Sequence, residues 1–568
     1  MLPNAITPKT SRLTVQAFSG LDRRLRPADG SCAALENFWG GSYPVLETRP
    51  ARGLVTTLVQ PGGMTARDCL CYVDGSVLYL NGYGVDLGLS SARPKQLVSM
   101  GAFLIIFPDK NYINTADLSD YGALEQRFTA ASGATLTLCG RDGAAYSLIT
   151  ADVEPEDVAP GALWLEPSAP CLRRYTAGGW VEETETCVRI SASGAGAGFA
   201  AGDGVEISGA AVSSLNGTFV LEDAGEDFLL VRAMLPCAER TQTTALTVAR
   251  TVPDLDFVVE CGNRLWGCRY GMENGRAVNE IACCKLGDFR NWGCYAGLST
   301  DSWAASRGAD GPFTGAITFQ GSPIFFRENC LERVYPAADG AHRITTQQAA
   351  GVQKNCGGSL AVVGGAVYYR SLAGVMAYDG AQPVCVSERL GTAGCLSACG
   401  GALGADYYLC EQVGEEEFSL LQLDTSRGFW YRQDGLAVTA FAACGWELYA
   451  LTADGRLLSL TGGEGELGEE PLAWSMETGE LGLDLPENKY LSRLRLRCSL
   501  AGTMQAQVRC DGETAWRSAG TVSSLGLRSF TLPILPRRCD RMRLRLSGTG
   551  AFRLYSLSCI LEEGSDAP

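Results

Sequence analysis

The chain has 568 residues, of which 46% are hydrophobic and 19% charged, and its formal net charge is −16. A chain of this length exceeds what one hydrophobic core organises, so about two to four domains are expected. The ordinary composition excludes wholesale disorder. No stretch approaches the roughly 20 apolar residues of a membrane helix, so no membrane segment is expected.

The 23 cysteines are expected to be reduced thiols and not a disulfide or zinc framework. Many of them, such as Cys268 and Cys559, lie in apolar runs where a thiol packs as a small hydrophobic group. His342 is the only histidine, and the cysteine spacings do not match a zinc site. We therefore expect no metal and no cofactor.

Short apolar strands joined by glycine turns recur along most of the chain. Clear copies span residues 69–82, 98–107, 258–267, 316–326, 360–369 and 442–451. Each is a predicted hairpin whose glycine provides the positive φ of a tight turn. Gly321 and Gly364 are 43 residues apart and Gly364 and Gly401 are 37 apart, a spacing typical of four-stranded propeller blades. The alternative is a stack of unrelated β-sandwich hairpins.

This repeat is interrupted between residues 125 and 250. Short alternating strands and the Asn216-Gly217 turn there predict a small β-barrel or sandwich domain inserted into a propeller. Residues 1–124 are then an N-terminal arm with the first blades, and residues 251–465 are the remaining blades. The predicted fold class is all-β.

The last part, residues 466–568, is predicted to be a separate C-terminal β-sandwich. It follows a polar, glycine-rich segment and contains strands in which leucine and arginine alternate. Between residues 486 and 550 there are 12 Lys and Arg and 4 Asp and Glu, although the whole chain is acidic. Such a charge difference predicts different neighbours for the two ends.

Two arginine triplets in this part are the candidate interaction face. The period-two pattern places each triplet on one side of its strand, opposite a leucine core. Arginine suits docking to an acidic partner or another subunit; a solvated outer face is the alternative. The six residues are Arg493, Arg495, Arg497, Arg541, Arg543 and Arg545.

Catalytic motifs are not evident, and the chain is expected not to be an enzyme. The surroundings of His342 show no nucleophile motif. Seven acidic residues are candidates for the paired carboxylates of a glycoside hydrolase, but they are scattered at predicted turns. They are Asp254, Asp256, Glu260, Asp288, Asp301, Glu328 and Asp379.

Several motifs resemble propeller proteins of bacteriophage tails and necks, including tail-nozzle and packaged-DNA-stabilisation proteins. They are Phe18-Ser19-Gly20-Leu21-Asp22, Glu36-Asn37-Phe38 and Arg49-Pro50-Ala51-Arg52, with the later runs 313–328 and 368–380. The resemblance covers residues 1–124 and 251–460. It implies a non-catalytic virion protein, a ring or nozzle component that extends the DNA conduit or anchors fibres.

The partners implied are further copies in a ring, sixfold by analogy, other tail or neck proteins, and transiently packaged DNA. The expected location is the virion tail, after synthesis in a bacterial cytoplasm, because no signal peptide is visible. Two alternatives remain: a receptor- or glycan-binding adhesin of the tail and a propeller glycoside hydrolase. Exposed aromatic side chains over a pocket would favour the adhesin. Converging carboxylates would favour the hydrolase, and a self-complementary edge would favour the ring.

Overall fold

The fold was determined as a computed structural model that describes residues 10–563 except 93, 274, 310, 392–393, 470, 484–488 and 535–537. The predicted all-β class is confirmed, because these residues form strands and three short 3-10 turns, Ser213–Leu215, Gly357–Ser359 and Glu388–Leu390. None of the helical segments described has the length and hydropathy that crossing a bilayer requires.

The N-terminal arm contributes five strands. They are β1 (Thr10–Val15), β2 (Cys32–Glu36), β3 (Phe38–Trp39), β4 (Leu46–Thr48) and β5 (Gly53–Thr57). The arm is anchored in the core by Leu21, which is fully buried, and its amide donates a hydrogen bond of 2.6 Å to the carbonyl of Trp430.

Two four-stranded antiparallel blades follow the arm. The first contains β6 (Pro61–Ala66), β7 (Leu70–Asp74), β8 (Val77–Leu80) and β9 (Tyr83–Asp86). The second contains β10 (Gln96–Met100), β11 (Phe103–Phe107), β12 (Asn111–Asn114) and β13 (Asp117–Ala123). Asn81 and Gly82 have φ values of 49° and 82° and form the tight turn between β8 and β9, as the Asn-Gly sequence predicts.

Residues 126–250 form the inserted part of the chain, between the second and third blades. Its strands are β14 (Gln126–Ala130), β15 (Ala134–Cys139), β16 (Leu148–Thr150), β17 (Leu163–Glu166), β18 (Cys171–Thr176), β19 (Gly179–Glu182), β20 (Cys187–Ser191), β21 (Gly204–Ser208), β22 (Gly217–Gly225), β23 (Phe228–Arg232), β24 (Glu239–Gln242) and β25 (Leu246–Arg250). Strands β16–β19 form one sheet and the other eight form a second, around a common apolar core. Entry and exit strands β14 and β25 pair with each other.

Four further blades continue the propeller. The third contains β26 (Phe257–Glu260), β27 (Leu265–Glu273), β28 (Arg276–Cys283) and β29 (Trp303–Ser306). The fourth contains β30 (Gly315–Phe319), β31 (Ser322–Phe326), β32 (Cys330–Tyr335) and β33 (Arg343–Gln348). The fifth contains β34 (Ala361–Val363), β35 (Ala366–Ser371), β36 (Gly374–Tyr378) and β37 (Val384–Cys385). The sixth contains β38 (Ser397–Leu403), β39 (Asp406–Gln412), β40 (Phe418–Asp424) and β41 (Phe429–Asp434).

The seventh blade closes the ring with a strand from the arm. Its strands β42 (Val438–Cys444), β43 (Glu447–Thr452) and β44 (Arg456–Ser459) are followed outward by β5, which also pairs with β45 (Glu466–Leu467). The first strands of successive blades contact each other, with the Gly357–Ser359 turn bridging the fourth and fifth blades, and β42 contacts β6. The described residues therefore form a closed propeller of seven blades.

The C-terminal strands build one large sheet together with the arm. They are β46 (Ala473–Thr478), β47 (Lys489–Cys510), β48 (Arg517–Leu532), β49 (Arg538–Cys539), β50 (Met542–Thr549) and β51 (Phe552–Glu563). Strand β2 pairs with β46, and β1 and β4 pair with β51. The sequence predicts that the arm belongs with the first blades, within residues 1–124. Strand pairing instead joins residues 10–48 to this C-terminal sheet. The arm, the fourth to sixth blades and the sheet share one apolar core.

A buried ion network fixes the segment between β4 and β5. Arg49 contacts Asp434 at 3.2 Å and Glu469 at 2.7 Å, and Arg52 contacts the same two carboxylates at 2.6 and 3.3 Å. Burial opposes ionisation of Asp434, but the guanidinium group of Arg52 holds the pKa of this carboxyl below its usual value. The arginines of the Arg49-Pro50-Ala51-Arg52 motif thus tie the arm to the end of the sixth blade and to the segment that follows β45.

We predict that Asp434→Asn lowers the free energy of unfolding by about 3 kcal/mol at pH 7, because it leaves buried arginines without a full partner. A carboxyl group with a lowered pKa stabilises the fold above its unfolded pKa and loses this contribution as the pH falls. The difference in melting temperature between wild type and variant should therefore shrink below about pH 4. Thermal melts of wild type and variant from pH 7 to pH 3 measure this difference.

The matched control is Asp68→Asn, because Asp68 is exposed and lies 3.7 Å from Arg67. Exposed pairs contribute at most about 1 kcal/mol, so this variant should melt like wild type. Equal melting of Asp434→Asn and wild type at pH 7 would contradict the prediction.

Candidate interaction face

The first arginine triplet lies on the solvent side of β47. Arg493, Arg495 and Arg497 are exposed, while the intervening Leu494 and Leu496 are buried in the core. Within the described part of the chain, none of the three guanidinium groups forms an ion pair or a hydrogen bond. Strand alternation therefore places three unneutralised positive charges on one face, as the sequence predicts.

The neighbouring strands add hydroxyl groups and one more arginine to this face. Ser558 and Ser556 of β51 lie opposite Arg495 and Arg497. On the far side of β51, the Nε of Arg12 in β1 donates a hydrogen bond of 3.2 Å to the hydroxyl of Ser558. We call Arg12, Arg493, Arg495 and Arg497 the arginine face.

The second triplet, unlike the first, is neutralised by carboxylates of this chain. Arg541 and Arg543 lie 3.3 and 3.4 Å from the carboxylate of Glu480, and the Nε of Arg545 donates to Glu477 at 2.8 Å. The guanidinium carbon of Arg545 also lies 4.1 Å from the ring centre of Trp516. These arginines are already paired within the chain.

The two triplets are far apart along the sheet. Strand β47 is 22 residues long, and its outward arginines pair with β51 near one end, whereas Arg543 and Arg545 lie opposite Arg509 and Gln507 near the other. Arg497 and Arg509 are then separated by roughly 40 Å at the usual rise per residue. The six arginines share a sheet face but do not form one patch.

A polar cavity of about 410 Å³ lies between the fifth and sixth blades and the arm. Arg370 and Glu411, 2.6 Å apart, form one ion pair in it, and Arg432 and Glu36 form another. Burial raises the pKa of Glu411, and the nearby Arg370 opposes this rise. Phe418 is the only aromatic side chain among the described residues that line the cavity, so it lacks the aromatic cluster expected of an adhesin.

The seven candidate carboxylates are engaged with different partners. For example, Asp301 accepts hydrogen bonds from the amides of Gly297 and Leu298 at 2.7 and 3.0 Å. Asp288 contacts Arg290 at 3.4 Å, and Glu260, Glu328 and Asp379 each accept a backbone amide. Two of the seven, Asp254 and Asp256, line one depression together with Glu273. Among the described residues there is no cluster of three or more His, Cys, Asp or Glu that would hold a metal ion.

His342 packs against two tryptophans of the third blade, Trp266 and Trp303, which also contact each other. Its ring centre lies 5.0 Å from that of Trp266 and 5.5 Å from that of Trp303. Its Nδ1 accepts a hydrogen bond of 3.0 Å from the amide of Ala337. Burial, and then the charge of Arg264, lower the pKa of His342.

Comparison with known proteins gives no family. No family model and no curated protein matches the chain. Solved structures similar to it include an exo-β-1,3-galactanase from Phanerochaete chrysosporium, at 8% identity and a TM-score of 0.21, covering 90% of this chain and 99% of that one. Others are BamB from Moraxella catarrhalis, at 9% identity, a TM-score of 0.21 and coverage of 58% and 91%, and the designed protein Ika8, at 10% identity, a TM-score of 0.29 and coverage of 72% and 99%.

The expectation that the chain is not an enzyme is wrong as an inference from sequence. Several of the similar structures are glycoside hydrolases. The physical reason is that glycoside hydrolysis needs two carboxyl groups and no histidine. The lack of a nucleophile motif around His342 therefore does not exclude this type of hydrolysis.

The two arginine triplets should respond differently to charge reversal. Replacing Arg541, Arg543 and Arg545 by Glu should lower the melting temperature by several degrees, because each new carboxylate faces Glu477 or Glu480. Replacing Arg493, Arg495 and Arg497 by Glu should leave it nearly unchanged, since these side chains have no partner to lose. Calorimetry on both triple variants measures the contrast, and equal destabilisation would contradict it.

A second prediction concerns pH. Folding lowers the pKa of His342 and therefore favours the neutral ring. The stability that the neutral ring contributes is fully present above the unfolded pKa of about 6.5. Stability is lost as the pH falls through that value. His342→Phe keeps an aromatic ring against the two tryptophans, so the melting temperature of this variant should fall less than that of wild type between pH 7.5 and 5.5. If the melting temperatures of wild type and variant fall equally with pH, His342 does not cause the pH dependence.

Proposed function

We propose that this chain is a structural subunit of a bacteriophage tail or neck, which docks through the arginine face onto an acidic surface of a neighbouring subunit. Two features support it besides the resemblance of its motifs. The seven blades form a closed ring, and the arm connects it to the sheet that carries the face, through β5 in the seventh blade and through β1 and β4 in the sheet. Location in the virion tail is part of this proposal.

The observation that carries the proposal is the absence of partners for Arg493, Arg495 and Arg497 among the described residues. Three exposed, like charges at every second position of one strand repel each other, which a purely solvated surface does not require. Guanidinium groups bind carboxylates in a fixed, bidentate geometry. An acidic protein surface therefore fits the face.

Acidic surface is plentiful on this chain itself. The net charge is −16 although residues 486–550 carry an excess of Lys and Arg, so the remainder is more strongly negative than the whole. A neighbouring copy therefore offers a complementary surface, as a neighbouring tail protein would. Ring formation, its sixfold symmetry, the attachment of fibres and contact with packaged DNA rest on the resemblance alone and stay predictions.

The test begins with tailed particles produced by the strain that encodes the chain. Mass spectrometry of purified particles should find the protein in several copies per particle. The triple variant Arg493→Glu/Arg495→Glu/Arg497→Glu should fold and melt like wild type but be missing from the particles, because its face now repels an acidic neighbour.

The control places Glu on the same side of the same strand, outside the face, in Ala501→Glu/Thr503→Glu/Gln505→Glu. These three positions are outward and lie beyond Arg497 on β47. This variant should be incorporated normally. Tailed particles that lack the wild-type protein would reject the function, and normal incorporation of the arginine variant would reject the docking face.

A further inference from the structure

Strand β48 leaves one long edge of the C-terminal sheet unpaired. Of its 16 residues, 15 pair with β47 on one side, with Ala519 left out at a register shift, and no described strand pairs with the other side. Leu525 is 90% exposed and Leu527 49% exposed on this strand. Edge strands in natural proteins are usually protected by proline, lysine, a bulge or a covering segment. Strand β48 contains neither proline nor lysine, and its one register shift, at Ala519, lies outside residues 521–531.

The sequence of β48 is close to a palindrome about Gly526. Residues 521–531 read Thr-Val-Ser-Ser-Leu-Gly-Leu-Arg-Ser-Phe-Thr. When a second copy lies antiparallel with Gly526 opposite Gly526, the two leucines face each other, and Thr521 faces Thr531. Ser523 then faces Ser529, and the partly buried Val522 faces Phe530.

We propose that β48 pairs with β48 of a second copy of this chain, antiparallel and in the register that places Gly526 on a twofold axis. Such an interface is isologous, so the strand must be complementary to itself, and the near-palindrome satisfies this condition. Hydroxyl pairs and apolar pairs directly opposite each other stabilise antiparallel strands. Glycine at the centre suits the close approach of two backbones.

Charge also fits this register. Arg528, the only charged residue among residues 521–531, lies opposite Ser524 of the second copy and not opposite itself. Arg497 is next to Ser529 in the register of β47 and β48, three residues from the axis. Strand spacing then separates the two copies of Arg497 by roughly 25 Å, more than the screening length of about 10 Å in 0.1 M salt.

The pairing has a consequence for the arginine face. A twofold axis perpendicular to a sheet keeps the outward side of both copies on the same side. Two chains joined at β48 therefore form one continuous sheet in which both arginine faces point in the same direction. The inference concerns the chain alone in solution and does not depend on the proposed function.

Sedimentation velocity on the purified full-length chain tests the proposal with three variants. Wild type should sediment as a dimer. Leu525→Lys/Leu527→Lys places lysine opposite lysine twice and should raise the dissociation constant of the dimer by about tenfold or more. Leu525→Lys/Leu527→Glu places lysine opposite glutamate twice and should restore the dimer, because residue 525 faces residue 527 of the other copy.

The control Leu298→Lys/Leu372→Lys adds the same charges at leucines that are 64% and 65% exposed elsewhere, and it should remain dimeric. Melting temperatures establish that all variants fold. A monomeric wild type, a dimer that tolerates Leu525→Lys/Leu527→Lys, or a Lys/Glu variant that dissociates like the Lys/Lys variant would each overturn the proposal.

Discussion

Residues 10–57 contribute strands to both the propeller and the C-terminal sheet. The rest of the structure depends on the position in which these residues are held. Four of their strands lie in the C-terminal sheet, and the fifth fills the outer position of the seventh blade. Between them, Arg49 and Arg52 are almost fully buried. Buried guanidinium groups need carboxylates, so Asp434 and Glu469 determine the path of the arm. Without it, the seventh blade and the sheet would both expose unpaired strand edges.

Much of the fold could be predicted from local patterns. Hairpins with Asn-Gly or Gly-Gly turns indicate blades, because turn geometry and strand alternation are set by neighbouring residues. The loss of this spacing between residues 125 and 250 indicates the insertion. The partners of β1–β5 could not be predicted in this way. Their hydrogen bonds connect residues hundreds of positions apart, as between Arg12 and Ser558, and no local pattern specifies such a pairing.

For the arginine triplets, too, local sequence predicts one feature and tertiary contacts determine the other. Alternation predicts that Arg493 and Arg543 point outward, and they do. The sequence does not show that β47 is long enough to take β51 and β50 in succession on one side. Nor does it show that β46 and the residues directly after it bring Glu477 and Glu480 to the second triplet only. Identical Leu-Arg patterns therefore give one free and one neutralised group, and the difference arises from tertiary neighbours.

The pairing of β1 with β51 also constrains how this protein is made. Arg12 and Ser558, which are hydrogen bonded, are separated by 546 positions. At the usual rate of about 5–20 residues per second, the ribosome needs roughly half a minute to two minutes between them. During that time β1 has no strand to pair with, and this edge of the sheet forms only after β51 has been synthesised. Native-like blades can precede this pairing, but β1 reaches its final place only after β51 is available.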